Sequence, residues 1–154
     1  MLPMAERATQ SITISAPPEL CFAVVQDFER YPEWAHDVKD AVVVARDDAG
    51  RPSVVEFTAA AMGRTTRYRL GYDYAGAPAR IAWHLEEGDI MTVIDGAYDF
   101  APSASVAGGT DVTYELAIEL VVPLPGFVKR RAELRILNTI KELKTRVEQV
   151  HAVG

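Results

Sequence analysis

The chain has one cysteine, three histidines and more acid than base in its 154 residues. Cys21 alone cannot form an internal disulfide. It sits in the apolar stretch 20–25 and reads as a small buried hydrophobe. A nucleophilic role would need a base and an oxyanion site, and the sequence shows neither beside it. The scattered histidines form no HExxH, and no CxxC pair or other metal spacing is present. No metal and no cofactor is therefore expected. Lysine plus arginine is 16 against 22 aspartates and glutamates, a net charge of −6. Such a chain lacks the overall positive field that gathers phosphate backbones, so no nucleic-acid partner is expected. No run approaches the roughly 18 apolar residues of a membrane span. The start, MLPMAERATQ, lacks the basic and apolar parts of a secretion signal. The expectation is a soluble cytoplasmic protein. No GxxxxGK follows a strand and no GxSxG elbow occurs, so nucleotide use and serine hydrolysis lack a motif.

What is present is an ordinary globular composition, 49% apolar and 25% charged. A chain of this length buries roughly 70% of its unfolded surface, enough for one core and too little for two. One domain over 1–154 is expected. Ile12 and Ile14 alternate with polar neighbours in 8–15, a half-buried strand. Pro17-Pro18-Glu19 stops it and suits the first turn of a short helix over 17–27, with Leu20, Val24 and Phe28 on one face. A second short helix covers 28–34, broken around Pro32. The period then changes to two. Strands are read at 37–46, 53–61, 64–74, 79–86, 90–101 and 111–122, joined by short turns. In 64–74, Tyr68, Leu70, Tyr72 and Tyr74 share one face, and Arg67, Arg69, Gly71 and Asp73 the other. Residues 127–151 lack proline and glycine and recur at helical spacing, with Ile136, Ile140, Leu143, Val147 and Val150 as a seam. Short connections make the sheet an antiparallel meander with one face to bury, and the seam needs the same partner. The simplest packing is an α+β fold: a seven-stranded antiparallel sheet curved around a long C-terminal helix, with two short helices after strand 1.

This order resembles the START-like, or helix-grip, superfamily, and within it the bacterial polyketide cyclase/dehydrase and lipid-transport branch close to coenzyme Q-binding proteins. Ile14-Ser15-Ala16-Pro17-Pro18-Glu19 with Phe22 resembles its strand-to-helix entry. Asp27-Phe28-Glu29-Arg30-Tyr31-Pro32-Glu33-Trp34 resembles its second short helix. Asp95-Gly96-Ala97-Tyr98 and 109–116 resemble its late strands, and 123–127 with Glu142-Leu143-Lys144 and Arg146 its last helix. The resemblance covers nearly the whole chain. It implies a cavity between sheet and helix, lined mainly by apolar and aromatic side chains. It does not select a ligand, because this fold hosts carriers, cyclases, hydrolases and stress proteins.

The inward strand faces would supply Phe57, Tyr68, Leu70, Tyr72, Trp83, Tyr98, Phe100, Tyr114 and Leu116. Their phenols could orient a ligand oxygen, or fill the core and bond to backbone. On the last helix, Ile136 and Ile140 continue towards Glu133 and Lys129 within about 40° of one face. Lys129 and Glu133 then stand either at the cavity mouth or beyond the sheet in water. Lys129-Arg130-Arg131 follows the apolar loop ending in Phe127, a pattern that could touch an anionic membrane transiently near Phe127 and Lys129, or be a solvated helix start. Trp34 borders the mouth or packs on the sheet edge. His84 points to the face opposite Trp83 and reads as surface. Glu86, Glu87 and Asp89 cluster at a hairpin tip, where carboxylates are usually solvated.

Three functions follow from these residues. The first is a carrier or chaperone for an apolar small molecule: a lipid, isoprenoid quinone or polyketide-like compound. The second is a polyketide aromatase/cyclase-type enzyme. The third is a protein-partner module. An inward arginine or histidine beside two tyrosines would favour chemistry, whereas an aromatic and aliphatic lining would favour carriage. The strand arginines all fall on the outward phase. Oligomeric state is left open by the sequence.

Overall fold

The computed structural model describes residues 6–61, 64–120 and 126–153, with side chains described in these spans apart from positions 6, 61, 64, 120 and 126–137. Strand β1 (Glu6–Ile14) leads into helix α1 (Pro18–Gln26) and a 3-10 helix (Phe28–Glu33). Six strands follow: β2 (Val38–Arg46), β3 (Pro52–Ala61), β4 (Arg64–Asp73), β5 (Arg80–Gly88), β6 (Met91–Pro102) and β7 (Thr110–Leu120). Helix α2 (Gly126–Val153) closes the chain. The helix-grip arrangement read from the sequence is thus the one observed.

The strands form one antiparallel sheet in the order β1-β7-β6-β5-β4-β3-β2. Consecutive strands pair through hairpins, as short connections require, and β1 closes on β7 with Ile12 opposite Val112. The sheet is curved, and register shifts interrupt it at Arg69/Leu70 and Met91/Val93. Such irregularities bend the strand that carries them. Residues of period two on the concave side form the core, among them Val55, Phe57, Leu70, Ile81, Trp83, Tyr98, Phe100 and Val112.

Pro18 opens α1, where a missing N–H costs nothing, and Glu19 faces the positive helix end. Cys21 and Val25 on its inner face are fully buried. Burial pushes the Cys21 thiol above its ordinary pKa, which leaves it protonated and inert. Thr110 at the start of β7 is equally buried and donates to the Ala16 carbonyl at 2.7 Å, tying the β1–α1 corner to the sheet.

Helix α2 is about 42 Å long at 1.5 Å per residue. Ile140, Leu143 and Val147 are fully buried, each burial favouring the fold by roughly 1.5–3 kcal/mol. Val150, expected to extend this seam, is 37% exposed, so the seam ends at Val147. The reason is geometric: the helix has run past the core by its last turn.

Candidate functional site

The concave face carries a continuous belt of aromatic rings. It is assembled from residues directly opposite one another on adjacent strands, the pairs that sheets pack closest. Phe57 on β3 faces Tyr68 on β4, and their rings stack at 5.6 Å. Tyr72 on β4 faces Trp83 on β5 at 6.1 Å. Tyr98 on β6 faces Tyr114 on β7 at 4.7 Å, with Phe100 stacked on Tyr98 at 5.9 Å.

A glycine joins these pairs into one belt. Gly96 on β6 lies opposite Trp83, and a Cβ there would sit 2.6 Å from the indole Nε1. With no side chain in the way, the indole lies across β6. It reaches Tyr98 at 5.4 Å and Tyr114, two strands away, at 6.0 Å.

The short helices complete the belt. Phe28, Tyr31 and Trp34 are three residues apart, one turn each of a 3-10 helix, so they share a face. Phe28 touches Phe57, Tyr72 and Tyr31, the Tyr72 ring at 4.3 Å. Tyr31 touches Trp34 at 4.8 Å. Phe22 on α1 meets Phe100 edge-on at 6.3 Å. Among the described aromatic side chains, all but Tyr74 belong to this one chain of contacts.

The hydroxyls set the chemistry. Tyr31 donates to the Val25 carbonyl at 2.6 Å. Those of Tyr68, Tyr72, Tyr98 and Tyr114 bond to no protein group among the described residues, and none of these oxygens is sealed from water-sized space. Burial raises all four phenols above the ordinary value of 10, Tyr68 to about 12. Neighbouring phenols push Tyr72 and Tyr98 further up, because each would feel the others' negative charge. The group stays protonated at neutral pH, a set of hydrogen-bond donors that are slow to become bases.

The structure thus brings together Trp34, Phe57, Tyr68, Tyr72, Trp83, Tyr98, Phe100 and Tyr114 from the sequence reading. Leu70, Leu116 and Ile140 are buried in the same core. Trp34 is 6% exposed and packs on Tyr31. The side chains of Phe127, Lys129, Glu133 and Ile136, and with them the expected membrane contact, lie outside the described residues. Tyr74 is buried in the same core but stands apart from the ring belt. It falls beyond β4, donates to the Pro52 carbonyl at 2.6 Å, and lies under the Arg51 guanidinium. Phe22, Phe28 and Tyr31 were not among the expected lining; the three-residue spacing of Phe28, Tyr31 and Trp34 was the signal available.

Charged groups sit elsewhere. Arg69 pairs with Glu56 and Arg80 with Asp99 on the outer face. His84 is on that face too, 2.7 Å from Glu86. Asp89 is not simply solvated as expected of a hairpin tip: it accepts from the buried Thr66 hydroxyl and from the Arg67 N–H. No group of three or more metal-ligating side chains occurs among the described residues. No helix among them is long and apolar enough to cross a membrane.

A curved antiparallel sheet gripping a long helix, with a ring-lined interior between them, defines a START-like, helix-grip protein. The chain belongs to the polyketide cyclase/dehydrase and lipid transport family, whose model matches residues 5–148. Among solved structures it is similar to a START superfamily protein from Mycobacterium smegmatis, 28% identical, with a TM-score of 0.85 over 94% of this chain and 98% of that one. A protein from Thermus thermophilus is 24% identical, with a TM-score of 0.78 over 94% and 99%. The Zhui aromatase/cyclase from Streptomyces sp. R1128 is 15% identical, with a TM-score of 0.77 over 97% and 98%. A search of curated proteins found no match. Family and fold together point to hydrophobic-ligand binding or polyketide-cyclase-like roles.

Proposed function

We propose that the protein is a carrier or chaperone for an apolar, ring-bearing small molecule with carbonyl or hydroxyl oxygens: an isoprenoid quinone, a polyketide-like compound or a related lipid. The observation that carries this reading is the set of four inward phenols without a partner among the described residues, mounted in a belt of rings. These oxygens are not sealed from water-sized space, so their donors are available to a molecule that takes the place of water there. A ligand oxygen would accept from them. Its rings would stack on Trp83, Tyr98 and Tyr114, and apolar burial would contribute about 25 cal/mol per Å².

Carriage is favoured over cyclisation by the lining. Cyclising a poly-β-ketone needs a group that removes a proton from carbon. The phenols are held protonated, and no arginine or histidine joins the ring belt among the described residues. The likeness to an aromatase/cyclase at 15% identity supports the fold alone.

The test is paired native and denaturing mass spectrometry of protein purified gently from its natural host, with titration by decylubiquinone followed through tryptophan fluorescence. The expected result is a stoichiometric mass lost on denaturation, together with saturable quenching. An empty protein from the host that also ignores decylubiquinone would overturn the carrier reading.

A further inference from the structure

The described half of α2 is held differently on its two flanks. On one, Lys144 donates to the Thr13 carbonyl at 2.7 Å and Glu148 accepts from the Ser15 N–H at 2.9 Å. Both contacts are with main chain at the end of β1, a strand fixed in the sheet by β7. On the other flank, Glu142 accepts from the His36 N–H at 3.1 Å and lies 2.6 Å from its Nδ1. Arg146 reaches Glu33 at 2.7 Å. Here the partners belong to the 3-10 helix and the irregular segment 34–37, and the His36 side chain is 86% exposed. Two i,i+4 pairs, Glu142/Arg146 and Lys144/Glu148, straddle the buried seam of Leu143 and Val147. One clasps the sheet and the other clasps a surface turn.

A cleft of about 370 Å³ opens on the second flank, lined by His36, Asp37, Asn138, Lys141 and Glu142. Two of its lining residues, His36 and Asp37, directly follow Trp34 and Ala35, which are buried in the core. Trp34 and Tyr31 precede His36 closely, and the Trp34 and Ala35 N–H groups both donate to the Tyr31 carbonyl. Any outward movement of His36 therefore pulls on two rings of the belt.

We propose that this cleft is the doorway to the interior and that the His36–Glu142 pair is its latch, with the β1 flank of α2 as the fixed side. The proposal rests on the reading that the interior takes a ligand. The pair is open to water on its His36 side, 86% exposed against 19% for Glu142, so it can be parted from that side at modest cost and suits a contact that must break on every exchange.

The test uses Glu142→Ala and, independently, His36→Ala, with Lys144→Ala as the control on the fixed flank. All are made in a Trp34→Phe background, so that only Trp83 emits, and circular dichroism checks the fold. Loss of the latch should raise acrylamide quenching of Trp83. It should also speed decylubiquinone association and dissociation together, by about threefold to fivefold, leaving Kd unchanged. Lys144→Ala should do neither. Unchanged quenching and rates in both latch variants would overturn the doorway, as would a change in Kd through dissociation alone, which would make the pair part of the wall. If the parent protein does not bind decylubiquinone, the carrier reading suffers, and acrylamide access still decides the doorway.

Discussion

Alternate residues of the same strands make the two faces of the sheet, and the faces treat polar groups in opposite ways. On the convex face, directly opposed residues satisfy one another. Arg69 meets Glu56 at 3.1 Å, Arg80 meets Asp99 at 2.6 Å, Thr13 donates to Asp111 at 2.7 Å, and Ser11 lies 3.1 Å from Thr113. On the concave face, directly opposed residues are rings that stack, and their hydroxyls are left without partners among the described residues. Water could have satisfied the convex groups, yet they are paired. The concave phenols have less water within reach, yet they are not. The concave hydroxyls still reach water-sized space, which leaves them available to the ligand proposed above.

High pH attacks the concave side. A phenol whose folded pKa lies above its ordinary value stabilises the fold fully below pH 10, and that contribution falls away as pH rises through the folded value. For Tyr68, raised to about 12, the window is pH 10–12, and the shift is worth up to about 3 kcal/mol. With the other buried phenols acting in the same direction, the protein should unfold cooperatively in that window. Phenolate absorbance near 295 nm should appear together with loss of circular dichroism. A smooth phenolate titration from pH 10 in a protein that stays folded would show that the belt is open to solvent. Salt should act on the other face: screening the exposed convex pairs costs about 0–1 kcal/mol each.

The next largest contrast is in packing. Phe28 is 1% exposed and touches Phe57, Tyr31 and Tyr72. Phe28→Ala should cost about 3–5 kcal/mol by urea denaturation. Val42, on the outer side of β2, is 48% exposed, and Val42→Ala should change stability by no more than about 0.5 kcal/mol. Equal losses would mean that β2 is covered in solution.

Two glycines sharpen the comparison, because each lies beneath a ring. A Cβ at Gly96 would strike the packed indole of Trp83, whereas one at Gly71 would meet the imidazole of His84 on the convex face. Trp83 is 8% exposed and held by three other rings, but the His84 side chain is 57% exposed and can swing away. Gly96→Ala should cost about 1–3 kcal/mol and shift Trp83 emission. Gly71→Ala should leave Trp83 emission unchanged and lose little stability.

The sequence shows some of this plainly and some not at all. Period-two alternation makes β4 and β7 unmistakable, and it assigns Tyr68, Tyr72 and Tyr114 to the inner face because a strand offers only two faces. The buried seam of α2 is legible for the same reason, at helical period. Gly96 is readable only as a glycine within a strand, a sign of close approach that does not name the Trp83 ring. The 3-10 spacing of Phe28, Tyr31 and Trp34 is hidden because three such residues also fit a frayed α-helix. Asp89 looks solvated until β4 brings Thr66 beside it. Least legible is the state of the hydroxyls. Whether a phenol finds a carbonyl, as Tyr31 and Tyr74 do, depends on loop positions that no periodicity encodes.

That state gives the smallest expected effect and the most pointed one. Thr110→Val removes a hydroxyl with a buried partner and should cost about 1 kcal/mol, because the Ala16 carbonyl loses its donor. Tyr98→Phe and Tyr114→Phe remove hydroxyls with no partner among the described residues. In the empty protein each should fall within about 0.5 kcal/mol of zero, with stabilisation as acceptable as loss. The same two variants should weaken decylubiquinone binding by about threefold to tenfold, the worth of one hydrogen bond to the ligand. A loss of stability like that of Thr110→Val would show that the phenols serve the fold. Unchanged stability with unchanged binding would confine the ligand's polar end to Tyr68 and Tyr72, nearer the segment that carries Trp34.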